Sequence, residues 1–156
     1  MVAIAAGQDC PDFSLPDADG KLVTPGALRG QPFVLYFYPK NDTPGCTVEA
    51  LDFSALLPEF TRAGVAVYGV SPDPVASHCK FRDKRGLTVP LLSDEEHRLI
   101  APLGLWVEKQ TFGVRKMGVQ RATLLFDAQG KLVKAWPKVS VQGHAAEVLE
   151  AARALA

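Results

Sequence analysis

Cysteine is scarce, charge is balanced and long apolar runs are missing. Three cysteines in 156 residues, an odd number at wide spacing, exclude the disulfide framework of small secreted scaffolds. Lysine plus arginine equals aspartate plus glutamate, 17 against 17, so no field invites nucleic acid or an acidic membrane. The densest basic stretch, Lys80 to Arg85, contains Asp83 and reads as a solvated helix face. No segment approaches the roughly 20 apolar residues that span a bilayer. Met1 to Gly7 lacks a basic region and is too short for a secretory signal, so a reducing cytoplasm is the expected location. His78, His97 and His144 show no ligand spacing with one another or with the cysteines, so no metal is expected. There is no glycine-rich dinucleotide fingerprint and no phosphate loop, so no cofactor is expected. Repeats, linkers and low-complexity segments are also missing, and residues 1–156 are expected to form one domain.

The remainder has the composition of an ordinary globule, 47% hydrophobic and 22% charged. Strand and helix patterns alternate along it. Asp12–Leu15 and Lys21–Val23 read as a small hairpin around Asp19-Gly20. Phe33 to Tyr38 is an unbroken apolar and aromatic run, the mark of a central strand buried on both faces. Val65–Val70 reads as a second core strand, Ser71–Pro74 as the lead into a helix ending near Arg85, and Pro90–Leu92 as a short strand. A short helix is expected over Glu95–Leu103, a hairpin over Ala122–Phe126 and Leu132–Trp136, and a closing helix over Ala145–Leu155. The order argues for an α/β fold with a mixed central sheet flanked by helices. Trp106 and Trp136 read as packing residues.

Cys46 has the most telling setting. It lies in Tyr38-Pro39-Lys40-Asn41-Asp42-Thr43-Pro44-Gly45-Cys46-Thr47-Val48-Glu49, between the central strand and an amphipathic helix. Thr43 suits the N-cap and Pro44 the first helical position, which puts Cys46 about three residues into the helix. Ala50, Phe53, Leu57 and Phe60 then mark the core face. An exposed thiol in the first turn would meet unpaired N–H groups and the positive end of the helix dipole, both favouring thiolate. Glu49 suits the dipole but opposes a thiolate unless a cation neutralises it.

These residues carry a family resemblance. Pro39-x3-Thr43-x2-Cys46 resembles the peroxidatic signature of the peroxiredoxins, and the longer string resembles their Q branch, the bacterioferritin comigratory proteins. Cys10-Pro11-Asp12-Phe13-Ser14-Leu15-Pro16 resembles the opening strand of that family. Ser71-Pro72-Asp73, Ser77-His78 and Pro90–Asp94 resemble its middle, and Trp106-x-Glu108-Lys109 with Gly118-x-x-Arg121-x-Thr123 its C-terminal half. The resemblance implies a thioredoxin-like fold. It also implies a thiol-dependent peroxidase acting on hydrogen peroxide and organic hydroperoxides through a sulfenic acid on Cys46, in a protein expected to be monomeric.

Thiolate formation alone would not make such an enzyme. A cysteine of pKa about 8.5 is roughly 3% ionised at pH 7, and lowering it to about 6 gains about 30-fold in thiolate. With a Brønsted slope near 0.45, the same shift forfeits roughly 13-fold in nucleophilicity, leaving about 2- to 3-fold. The site must also stabilise charge moving onto the leaving oxygen. Thr43 is a candidate donor that could also cap the helix. Arg121 matches the active-site arginine of the family, and its planar fork could serve thiolate and peroxide together while neutralising Glu49. Pro39 has no N–H to compete for substrate and would shield the sulfur.

The sulfenic acid must then be resolved. Some members of the branch carry the second cysteine five residues on, but that position is Leu51. Others carry it on the next helix, where Cys79 falls; Val75, Cys79 and Arg82 share one face, which could point toward the Cys46 helix. Either Cys79 resolves Cys46, or it is a small core residue of a one-Cys enzyme. Cys10 reads as packing. Electrons would then come from thioredoxin or a similar dithiol protein. Two other classes stand beside this reading. A thioredoxin-type disulfide oxidoreductase would place C-x-x-C here, and Thr43 occupies the first of those positions. A redox sensor or chaperone would use Cys46 oxidation as a switch.

Overall fold

The computed structural model describes residues 2–155. Its elements run β1 (Leu15–Pro16), β2 (Leu22–Val23), α1 (Pro25–Leu28), β3 (Phe33–Phe37), α2 (Pro44–Arg62), β4 (Ala66–Ser71), α3 (Val75–Arg85), β5 (Leu91–Ser93), β6 (Trp106–Thr111), β7 (Val114–Val119), β8 (Ala122–Phe126), β9 (Leu132–Trp136) and α4 (His144–Arg153). Five strands form one sheet in the order β5-β4-β3-β8-β9. The β3–β4 and β4–β5 pairs are parallel, whereas β3–β8 and β8–β9 are antiparallel, so the sheet is mixed.

The apolar run of β3 follows from its central place. Side chains alternate across a sheet, and both faces of this one are covered. Val34 and Tyr36 join a core with Phe53 and Phe60 of α2, Phe81 of α3 and Val148 of α4. Phe33, Leu35 and Phe37 join a second core with Leu99, Ile100, Leu103 and Leu105. Gly69 of β4 pairs with Tyr36, and a Cβ there would come within 2.5 Å of the tyrosine ring. The glycine lets that ring lie across β4 and stack on Phe53, 4.5 Å between centroids.

Several local expectations are corrected. Residues 95–104 form turns, not a helix. The Asp94 carboxylate accepts the N–H groups of Arg98, Leu99 and Ile100 at 2.8, 3.0 and 2.9 Å, which gathers the chain into turns before Pro102. The N-terminal hairpin shrinks to two residues a side, because Asp17 Oδ1 accepts from the N–H groups of Asp19 and Lys21 and starts the turn early. The sequence reading places no element between Leu103 and Ala122, where the structure has the β6–β7 hairpin. Its turn is Phe112-Gly113, both at positive φ, 53° and 76°. Val114 to Met117 are all exposed, so no alternating apolar pattern announces the strand. The short α1 was also unread, although Thr24 caps it and Pro25 opens it.

Candidate active site

The site forms where β3 hands the chain to α2. Asp42 takes a left-handed φ of 62°, unusual away from glycine, and two cations of α3, Lys84 and Arg85, hold its carboxylate. Thr43 occupies the N-cap, yet its hydroxyl makes no cap bond. It donates instead to Lys40 O at 2.9 Å. The first turn is closed by Thr47, whose N–H and hydroxyl both donate to Thr43 O at 2.8 Å. Pro44 is the first helical residue, so Cys46 is the third and its N–H belongs to the unpaired first turn. The thiol is not exposed as expected: Cys46 is 2% accessible and packs with Tyr36, Tyr38 and Ala50. Pro39 is half-buried at the end of the central strand.

Arg121 reaches this thiol from the opposite direction. It precedes β8, whose Ala122 pairs with Phe37 at the end of β3. Its Nη2 donates to Cys46 Sγ at 3.2 Å and its Nη1 to Glu49 Oε1 at 2.6 Å. A Cβ on Gly45 would approach Arg121 Nη2 to 3.3 Å, so this glycine lets the guanidinium lie against the helix start. Glu49 is 1% exposed and its Oε2 has no hydrogen-bond partner. Burial pushes its carboxyl up to about 7, against the downward pull of Arg121. One cation thus serves two acidic groups. An ionised Glu49 neutralises it, whereas a protonated Glu49 leaves its charge to Cys46. Lys109 of β6 brings a second cation: burial lowers its pKa, Arg121 lowers it further and Cys46 pulls it up.

Residues 6–135 match the AhpC/TSA family. The chain is 42% identical to the peroxiredoxin Bcp of Bacillus subtilis over 149 residues, 96% of this chain and 95% of that one. It is 46% identical to the peroxiredoxin Bcp of Xanthomonas campestris over 143 residues, 92% and 89% of the two chains.

The chain belongs to the AhpC/TSA family.

Solved structures agree. The bacterioferritin comigratory protein of Xanthomonas campestris, described for its alkyl peroxide reduction activity, matches with a TM-score of 0.89 at 43% identity, covering 96% of this chain and 98% of that one. The PrxQ of Xylella fastidiosa matches with a TM-score of 0.91 at 37% identity, covering 97% and 96%. The fold is the thioredoxin-like peroxiredoxin fold, and the protein is a thiol-dependent peroxidase of the Bcp/Q kind, taking a peroxide and a thiol reductant.

The other two thiols of this peroxiredoxin stand apart. All three cysteines are free. Cys10 is half-buried, and burial with Asp12 and Asp9 pushes its thiol up to about 12, which leaves it inert at neutral pH. Cys79 does share a face of α3 with Val75 and Arg82, but that face is not turned toward α2. Ser77, His78, Lys84 and Arg85 are the α3 residues that bond to the loop before α2. At the helical repeat, Cys79 lies roughly 100–160° around the axis from each of them. Its sulfur contacts Arg82 Nη2 and Asp83 Oδ2 at 3.5 and 3.7 Å, and Arg82 is tied to Asp19 in the β1–β2 turn.

Sequence reasoning missed one part of the site. Asn41 is buried and binds four groups. Its N–H donates to Asp73 Oδ2 at 2.8 Å, its Oδ1 accepts from Tyr38 Oη at 2.6 Å, and its Nδ2 meets Ser77 Oγ at 3.1 Å and His78 Nδ1 at 3.0 Å. Asp73 also accepts from Ser71 Oγ at 2.7 Å. Ser71-Pro72-Asp73 and Ser77-His78 were visible as motifs; that Asp73, Ser77 and His78 converge on Asn41 was not.

Proposed function

We propose that Cys46 is the peroxidatic thiol and that Arg121 binds both it and the peroxide. The observation that carries this reading is the fork of Arg121, 3.2 Å from Cys46 Sγ and 2.6 Å from Glu49. The Cys46 thiolate attacks one oxygen of hydrogen peroxide or an organic hydroperoxide. The S–O bond forms as the O–O bond breaks; Cys46 is oxidised to sulfenic acid, and the leaving oxygen takes a proton and departs as water or alcohol. Charge developing on that oxygen is met by Arg121, an effect that acts in the transition state and so raises the rate. Glu49 aims Arg121. The Thr43 hydroxyl, with its proton on Lys40 O, offers the peroxide an acceptor and becomes a donor by rotating. Pro39 keeps a competing N–H away.

Cys79 then attacks the sulfenic sulfur, giving a Cys46–Cys79 disulfide and water, and thioredoxin or a similar dithiol protein reduces the disulfide. The resemblance of Cys79 to the next-helix cysteine of the branch supports this step, and Leu51, 41% exposed on α2, offers no thiol. Residues 1–156 act as one domain, monomeric and cytoplasmic. The placement of Cys79, half-buried and on the α3 face away from the loop before α2, favours a second reading, a one-Cys enzyme that borrows a thiol. Non-reducing peptide mapping after one equivalent of peroxide separates them. A Cys46–Cys79 crosslink supports resolution; Cys46 sulfenic or sulfinic acid with free Cys79 establishes the one-Cys enzyme.

A further inference from the structure

We infer that Asn41 and His78 are positioning residues, a latch that makes the Cys46 turn and the first turns of α3 open as one unit. This deepens the proposed resolution of Cys46 by Cys79 and rests on it for its purpose. Asn41 lies five residues before Cys46 and His78 one residue before Cys79. A disulfide needs alpha carbons within about 7 Å, and Cys79 lies on the α3 face away from the loop before α2, so at least one helix start must unwind. Unwinding either one breaks the same contacts. Asn41 joins the end of β3 through Tyr38, the β4–α3 connection through Asp73, and α3 through Ser77 and His78. While the latch is closed, Cys46 keeps its contact with Arg121 and can reduce peroxide. Once it opens, Cys46–SOH and Cys79–SH can condense to the disulfide and water, with peroxide as the oxidant already consumed.

The latch closes on a neutral ring only. The Asn41 amide N–H donates to His78 Nδ1, which must therefore hold a lone pair. The ring proton is then on Nε2, which is buried without an aligned partner. A second proton on Nδ1 would face the amide with another donor. The groups around the ring are Tyr38 from the end of β3, Asn41, Asp73 and the Leu92 carbonyl of β5. Burial lowers the ring from 6.5 to about 4, with Asp73 and the Leu92 carbonyl pulling the other way. The closed state therefore binds fewer protons than the open one between those values. The contribution of His78 to its stability is complete above 6.5 and is lost as pH drops toward 4, by up to about tenfold in opening per pH unit. Asp42 is held below its usual range by Lys84 and Arg85, so it stays ionised across this window. Glu49, raised from 4.5 to about 7 on the Arg121 side, binds a proton more readily in the closed state and so opposes this slope; it is unchanged in His78→Gln, and the difference between wild type and His78→Gln isolates the ring.

The test is hydrogen exchange on the reduced full chain between pH 4.5 and 7, read in peptides spanning 40–47 and 75–82 and corrected for intrinsic exchange. Wild type, Asn41→Ala and His78→Gln are compared. Asn41→Ala is expected to raise opening of both segments by one common factor, about ten- to a hundredfold from the loss of buried hydrogen bonds. Relative to His78→Gln, wild type is expected to show the same added acid slope in both segments. Rapid-quench assay should show disulfide formation accelerated by Asn41→Ala. A response in one segment only, or the same pH dependence in wild type and His78→Gln, overturns the latch. Should one variant not fold, the comparison of wild type with the other still decides. If no disulfide forms in any of the proteins, the resolving role of Cys79 fails, while the exchange result decides the latch by itself.

Discussion

Replacing Arg121 by glutamine separates ionisation from transition-state stabilisation. Arg121 donates to Cys46 Sγ and Glu49 from one guanidinium. The change removes the charge and keeps a shorter donor, and Glu49, already pushed up to about 7 by burial, loses the cation that holds it down and takes up a proton. A hydrogen bond from a charged group contributes about 1.5–3 kcal/mol, or roughly 10- to 150-fold in rate if realised in the transition state. A raised thiol pKa cannot imitate this loss, because greater nucleophilicity offsets reduced ionisation to within about 2- to 3-fold. The assay is the second-order rate of Cys46 oxidation by hydrogen peroxide, measured by stopped flow at a pH where both proteins are fully thiolate. A remaining deficit of more than about tenfold supports the assignment. Rates that converge there would refute it, leaving Arg121 a role in ionisation only.

Three further outcomes follow from the same geometry. The oxidation rate per thiolate is expected to rise as pH falls through about 7, because protonating Glu49 frees the charge of Arg121; Glu49→Gln should abolish that inflection in a pH–rate profile. Gly45→Ala brings a Cβ to 3.3 Å from Arg121 Nη2, so oxidation should slow several-fold while thermal melting holds or rises, since alanine favours helix by about 1 kcal/mol over glycine. Cys10→Ser should leave peroxide turnover unchanged, and alkylation of Cys10 in the native protein should be slow at pH 7, because its thiol is pushed up to about 12.

The central strand, the Cys46 helix and the Ala122–Trp136 hairpin were legible because burial writes itself into sequence. Phe33 to Phe37 are apolar on both faces because two cores cover them. The pairing of Arg121 with Glu49 was legible because a carboxylate beside a thiolate requires a cation and the family resemblance pointed to Arg121 for that cation. Other features rest on contacts between segments far apart in the chain. The β6–β7 hairpin buries too little to show a pattern. The Asp94 carboxylate decides against a helix over 95–103 through three N–H groups, a choice that residue periodicity does not record. The direction of Cys79 depends on how α3 is rotated by Ser77, His78, Lys84 and Arg85, and the burial of Cys46 depends on Tyr36 and Tyr38 closing over it. Asn41 carries no signal of its own in the sequence; its four partners come from three places in the chain, the end of β3, the β4–α3 connection and α3.

Peroxide consumption by Cys46→Ser, beside wild type and with excess dithiol reductant, tests the central claim most directly. The account predicts that turnover vanishes while far-UV circular dichroism is unchanged. Sustained turnover by a folded Cys46→Ser protein would contradict it.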